Sequence, residues 1–309
     1  MGLAFMVISS AGCGAAGRPS PPRRSALAAA PPPPPAVPVA PVVGSTLPIL
    51  GTQLTGLPAT LGSWTLIDRT EVPGAFSDQG LATVSKPAGG TAIFYTGSAT
   101  VGPGLQAEGW NHVGDPDGWN GWLVTPFQGG PGSRSKMFQA ESPDGAVITA
   151  VHPLVGGEMA NNSFAAVTPD GQWTVSAEWG AEQRLLVFPT PMVNRSYAAG
   201  QPLPLAATVH LDKEVSDLQG CAFATATTLL CSDSSDLLRI DLNRPVQPDS
   251  LLAGSVSTVG ALPEVGGCSG PYESEGVDVD RPLGQLRLEM SQPGVCHLAT
   301  QVYAYRWAG

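Results

Sequence analysis

The chain has 309 residues, 31 of them Pro and 38 Gly, with 13% charged residues and 25 acidic against 15 basic side chains. So low a charged fraction with so much Gly and Pro excludes long solvated helices and coiled coils. The acidic balance excludes a nucleic-acid surface, which needs a basic patch to neutralise phosphates.

Taken in chain order, the sequence consists of two materials. No Asp or Glu precedes Asp68, and the first 60 residues carry only Arg18, Arg23 and Arg24, which leaves the remainder at 12 − 25 = −13. Eleven of the 31 prolines lie in the first 48 residues, including the run Pro31 to Pro35, and Phe5 is the only aromatic before Trp64. Such a segment buries too little apolar surface to offset its ordering entropy, so it is expected to be disordered or polyproline-like. The stretch 19–48 would then act as a semi-rigid spacer reaching on the order of 90 Å. Residues 36–50 are apolar but are broken by Pro38, Pro41 and Pro48, and no apolar run is long enough to span a membrane.

The first residues, Met1-Gly-Leu-Ala-Phe-Met-Val-Ile-Ser-Ser-Ala-Gly-Cys13, form a short apolar run closed by small residues and a Cys. This resembles a bacterial lipoprotein signal with its lipobox, although Ser10 stands where Leu is usual and no Lys or Arg precedes the apolar run. The resemblance implies export, a lipid on Cys13, and a place at the outer face of the cell membrane or in the cell wall; plain secretion is the alternative. With 12 Arg against 3 Lys and abundant Ala, Gly and Pro, the composition resembles that of an actinobacterial-type, high-GC genome. The expected organisation is a signal segment at 1–13, a Pro-rich linker at 14–60 and a folded domain at 61–309.

Setting Cys13 aside leaves four cysteines, with no C-x-x-C and scattered His, which argues against zinc. Cys221 and Cys231 flank an expected hairpin and are paired across it; Cys268–Cys296 follows by elimination. This is the preferred one of three possible connectivities.

From Trp64 onward the apolar runs are short, rich in Val, Thr, Phe, Leu and Trp, and punctuated by Gly, Pro and Asp, as in Thr91–Tyr95, Gly121–Thr125, Trp173–Ala177, Arg184–Phe188 and Val302–Arg306. The domain is therefore all-β. Ser142-Pro-Asp-Gly145 and Thr168-Pro-Asp-Gly171 are tight-turn signals, with glycine supplying the positive φ. Gly102-Pro-Gly104 is read as a turn.

The segment Phe164 to Ala177, strand–turn–strand around Thr168–Gly171, resembles the opening of a TolB- or WD40-like β-propeller blade, with Arg184–Phe188 as its third strand. A fainter repeat marks five unit starts, at Asp78-Gln79-Gly80, Asn111 to Asp115, Asn161-Asn162, Asp217 to Gly220 and Glu273 to Gly276. Their spacing fits five blades, with six or seven as alternatives, and the short first interval leaves the first blade lacking a strand. Trp64–Asp68 is expected beside Val302–Arg306, closing the ring.

In a propeller these starts converge on the axis. Asp78, Asp115, Asp217 and Glu275 are candidate ligands for Ca²⁺, a hard cation that takes oxygen donors. Gln79, Trp110, His112, Asp115, Asp117, Trp119, Gln219 and Glu275 are candidate ligand-binding residues. Within them, Trp110 to Trp122 brings three Trp, a His and two Asp together, as aromatic blade packing around a Pro-Asp-Gly turn or, alternatively, as a carbohydrate platform. As a glycoside hydrolase, the chain would use Asp78, Asp115 and Glu275 from separate blades. Glu178, beside Trp179, reads as a blade-surface residue. No G-x-S-x-G, H-E-x-x-H or G-x-x-x-x-G-K is present. The sequence thus points to a monomeric envelope binding or scaffold module for a glycan, peptide or partner protein, with the hydrolase as the alternative.

Overall fold

The structure is a computed structural model and describes residues 60–248, 250–264 and 268–308. The expected signal segment with Cys13, and the linker up to residue 59, lie outside the described residues.

Twenty strands and little helix are found among these residues. The chain enters through β1 (Thr60–Leu61) and β2 (Trp64–Pro73), then lays down sheets in succession. The first holds β3 (Gly80–Ser85) and β4 (Thr91–Thr96); a one-turn helix, α1 (Pro103–Ala107), follows it. Gly102-Pro-Gly104 is thus a helix start, not a simple turn: Pro103 takes a first-turn position, where its missing N–H is not needed. The second sheet has a divided inner strand, β5 (Trp110–Val113) and β6 (Asp117–Trp119), both paired with β7 (Trp122–Gly129), then β8 (Ser135–Glu141) and β9 (Val147–Pro153). The third is β10 (Ala166–Val167), β11 (Trp173–Ser176), β12 (Ala181–Pro189) and β13 (Ala207–Ser216). The fourth is β14 (Gly220–Phe223), β15 (Thr228–Ser232), β16 (Asp236–Leu242) and β17 (Leu252–Ala261). The fifth is β18 (Glu273–Asp280), β19 (Gln285–Ser291) and β20 (Ala299–Trp307), completed on the outside by β2.

The inner strands touch in ring order: β3 to β6, β6 to β10, β10 to β14, β14 to β18, and β18 back to β3. Hydrophobic clusters lie between neighbouring sheets. Leu81 meets Val72 and Val302 between the fifth and first, and Phe138 and Ala150 meet Leu186 and Phe188 between the second and third. Leu185 and Val209 meet Phe223 and Ile240 between the third and fourth, and Leu230 meets Leu286 and Tyr303 between the fourth and fifth. Val101 and Leu105, from the segment that links the first sheet to the second, pack on Trp110 and Met137 of the second. A closed ring of antiparallel sheets packed face to face is a β-propeller, here of five blades.

Closure is by β2 on β20, with Trp64 opposite Trp307 and Leu66 opposite Tyr305, as the sequence led one to expect. The first blade is reduced to two strands, which accounts for the short first interval of the repeat. The outer strands β13 and β17 pair in parallel over residues 209–211 and 252–254, so the third and fourth blades cover each other's edges. Cys221–Cys231 and Cys268–Cys296 are both formed. Cys221 sits directly opposite Cys231 in the β14–β15 ladder. Two disulfides fit an oxidising compartment. No helix among the described residues is long and apolar enough to cross a membrane.

Candidate functional site: an axial pocket over a buried carboxylate

The inner strand of the second blade breaks at Gly114-Asp115-Pro116, between β5 and β6. The break carries the Asp115 side chain to the propeller axis, where it is fully buried. Oδ1 accepts the Leu81 N–H of the first blade at 3.0 Å, and Oδ2 accepts the Val277 N–H of the fifth at 3.2 Å. The Asp115 main chain bonds to the third blade on both sides, giving its N–H to Ser163 O and taking the N–H of Ala165. One residue thus joins four blades.

The blade-start glycines make this possible. A Cβ on Gly80 would lie 2.5 Å from Asp115 Oδ1, one on Gly220 would lie 2.4 Å from Oδ2, and one on Gly276 would lie 2.8 Å from Oδ1. Gly80 also has φ +144°, a region side chains disfavour. The Gln-Gly and Glu-Gly pairs of the sequence repeat are therefore close-approach positions around one carboxylate.

A second pair of carboxylates repeats the device one step down the strands. Asp117 Oδ2 accepts the Val167 N–H of the third blade at 2.7 Å. Asp278 takes the Thr83 N–H at 2.9 Å and its hydroxyl at 2.6 Å, and is paired with Arg287 at 2.8 Å. Burial pushes the Asp117 carboxyl up to about 7, against the nearby Arg281 charge and the Val167 amide. Burial likewise holds Asp115 well above the usual carboxylate range, against its two main-chain hydrogen bonds.

At this axis lies a cavity of about 220 Å³ lined by Gln79, His112, Gly114, Gln128, Asn161, Ser163, Trp179, Gln219, Glu273 and Glu275. All five blades contribute. Of the ligand-binding candidates, Gln79, His112, Gln219 and Glu275 line the cavity; Trp110, Asp115, Asp117 and Trp119 do not. Trp110 is buried in the cluster behind β5. Trp119 lies against Gly171 of the Thr168–Gly171 turn, with Nε1 donating to Pro169 O at 3.1 Å. The three Trp of the Trp110–Trp122 segment are blade packing and do not form a platform in the cavity.

Asp78, Asp115, Asp217 and Glu275 do not assemble as a calcium site: no group of three or more metal-ligating side chains occurs among the described residues. Asp78 is turned back onto Ser98, accepting its N–H at 2.6 Å and its hydroxyl at 3.0 Å. Asp217 occupies a left-handed turn with φ 53°. Of Asp78, Asp115 and Glu275, the carboxylates expected of a hydrolase, only Glu275 reaches the cavity.

Glu178, expected on a blade surface, is buried. It binds Lys136 at 2.6 Å and Arg184 at 2.7 Å and accepts the Met159 N–H. Burial pushes the Lys136 amine down, opposed by its hydrogen bond to Glu178. This clamp fixes the chain just before Trp179, whose indole is 46% exposed and lines the cavity. Trp179, Gln128 and Ser163 are not among the binding residues expected from sequence: Trp179 and Gln128 lie outside the blade-start repeat, Ser163 ends its third start, and the burial of Glu178 beside Trp179 is visible only in the fold.

No family model and no curated protein matches the chain. Among solved structures, it is similar to the β-propeller domain of Myceliophteria thermophila Cps50 (Swd1), over 72% of this chain and 82% of that one, at 11% identity and a TM-score of 0.34. The strand pairing and ring order described above are what establish the fold.

Two outcomes are expected. Asp115→Asn leaves one main-chain N–H facing an amide –NH₂ and should cost about 1–3 kcal/mol. Gly220→Ala drives a methyl into the same carboxylate and should also destabilise. Both are read from urea midpoints, and an unchanged midpoint in both would contradict the geometry. The second outcome concerns pH. Asp117 holds its proton more tightly folded than unfolded, so its contribution is present below the unfolded value of about 4 and is lost as pH rises through about 7. The melting temperature should therefore be higher at pH 5 than at pH 8, and Asp117→Asn should narrow that difference. A difference of unchanged size would contradict the assignment.

Proposed function

We propose that the protein is a cell-envelope binding module that takes a small polar group, from a glycan or a peptide, in the axial cavity. The observation that carries this reading is convergence: one or more polar side chains from every blade, with an exposed Trp, line one cavity over an axis that Asp115 closes. At about 220 Å³ the cavity is smaller than the roughly 300–1,000 Å³ of drug-sized pockets, so it suits a single ring or side chain. The indole offers a stacking face, and the amides and carboxylates offer hydrogen bonds. Anchoring through a lipid on Cys13, with the Pro-rich segment as spacer, would hold this cavity away from the membrane. The reading draws support from the signal-like first 13 residues and from the two disulfides.

The test is binding of the full chain to arrays of envelope glycans and peptides, with palmitate labelling of expressing cells in parallel. Array binding should fall at least tenfold in Trp179→Ala and in Gln219→Ala; binding indifferent to both would place the ligand elsewhere. Labelling should vanish in Cys13→Ala, and label that survives would refute the anchor.

A further inference from the structure

We propose that the axial cavity takes a protonated amine carried on a compact polar head group, with Glu275 as its counter-ion. The proposal rests on the reading of this cavity as the binding site and specifies the chemistry of what enters it.

The cavity is built to accept hydrogen bonds. Three of its four amides give an N–H to the protein: Gln79 Nε2 donates to Asp78 O, Gln219 Nε2 to Glu273 Oε1 at 2.9 Å, and Asn161 Nδ2 to Gln128 Oε1 at 3.2 Å. Gln79 and Gln219 keep their carbonyl oxygens, with one N–H each, for a ligand. The Ser163 hydroxyl, also in the lining, is buried without a hydrogen-bond partner.

Charge points the same way. The lining includes Glu273 and Glu275 and no Lys or Arg. Its one basic side chain, His112, is pushed below the ordinary histidine range by burial, so it adds no positive charge near neutral pH. The other carboxylates at the axis are each satisfied: Asp115 and Asp117 by main-chain amides, Asp278 by Thr83 and Arg287, Asp78 by Ser98. Glu275 is the exception in the lining. It is 6% exposed, and among the described residues no cation or main-chain amide bonds its carboxylate. Burial and the charges of Glu273 and Asp78 raise its carboxyl well above the usual range, with only the Ser291 hydroxyl opposing. Glu289, opposite Gly276 in the β18–β19 ladder, is fully buried with neither oxygen hydrogen-bonded, and burial with the charges of Asp115, Glu275 and Asp78 raises its carboxyl well above the usual range. An ammonium supplies what is missing: donors for the carbonyl oxygens and a positive charge for carboxylates that otherwise repel one another. The exposed Trp179 indole in the same lining favours a cation as well.

Two sources of such an amine, an amino sugar and a lysine side chain, are separated by calorimetric titration of the full chain near neutral pH, where both amines are still mostly charged and Glu275 is more readily ionised than in acid. Glucosamine is compared with glucose, and Nα-acetyl-lysine amide with Nα-acetyl-norleucine amide. At least one amine should bind ten times or more tighter than its neutral twin, and the pair that shows the difference identifies the source. The ratio should fall to near one in Glu275→Gln, with an unaltered melting curve confirming the fold. Should that variant not fold, Glu273→Gln, at an exposed position, should reduce the ratio several-fold. Equal binding of the twins would overturn the proposal while leaving the cavity a binding site. Failure of both amines, with array ligands still dependent on Trp179, would overturn the proposal alone. Failure of both amines and of all array ligands would remove the site as well.

Discussion

The fold depends on one fully buried carboxylate, held in place by main-chain amides from two other blades. A propeller's sheets converge at their inner edges, where strands that belong to different ladders must approach without a ladder to join them. Asp115 supplies the join. Its two oxygens satisfy Leu81 N and Val277 N, while its own peptide groups bond to the third blade. An orphaned N–H at the axis would cost the desolvation of an unpaired donor, so one side chain removes two such costs at once. The glycines at 80, 220 and 276 follow from this, since any side chain there would occupy the place of the carboxylate.

The same economy sets where a ligand can go. Because Asp115 and its surrounding glycines fill the axis, the polar residues that precede those glycines surround a shallow cavity instead of a through-channel. Gln79 precedes Gly80, Gln219 precedes Gly220 and Glu275 precedes Gly276, so closure of the axis and lining of the cavity are two consequences of one repeated dipeptide. The buried Glu178 clamp adds the one element that the repeat does not supply, by fixing the hairpin that carries Trp179.

Much of this was legible in the sequence, for physical reasons. Short β-rich runs divided by Asp-Gly turns specify strands and hairpins locally, and the blade-start repeat locates the axis because each inner strand meets the same constraint. Cys221 and Cys231 could be paired because a hairpin places them opposite each other. The role of Asp115 was less legible: Asp-Pro-Asp-Gly reads as a turn or an ion loop when its partners, 34 and 162 residues away, are unknown. The same blindness to distant partners left Trp110 and Trp119 open to either a packing or a platform reading and made Glu178 look like a surface residue. Lys136 lies 42 residues from Glu178, and nothing local to either announces the pair.

The claim on which the account rests is that Asp115 locks the amides of Leu81 and Val277 at a closed axis. Native-state hydrogen exchange of the backbone tests it directly. These two amides should exchange only with global unfolding, in the slowest class, and should move to a faster class in Asp115→Asn. Exchange of both in the unaltered protein as fast as the exposed turn at 86–90 would mean that the axis is open and the account wrong.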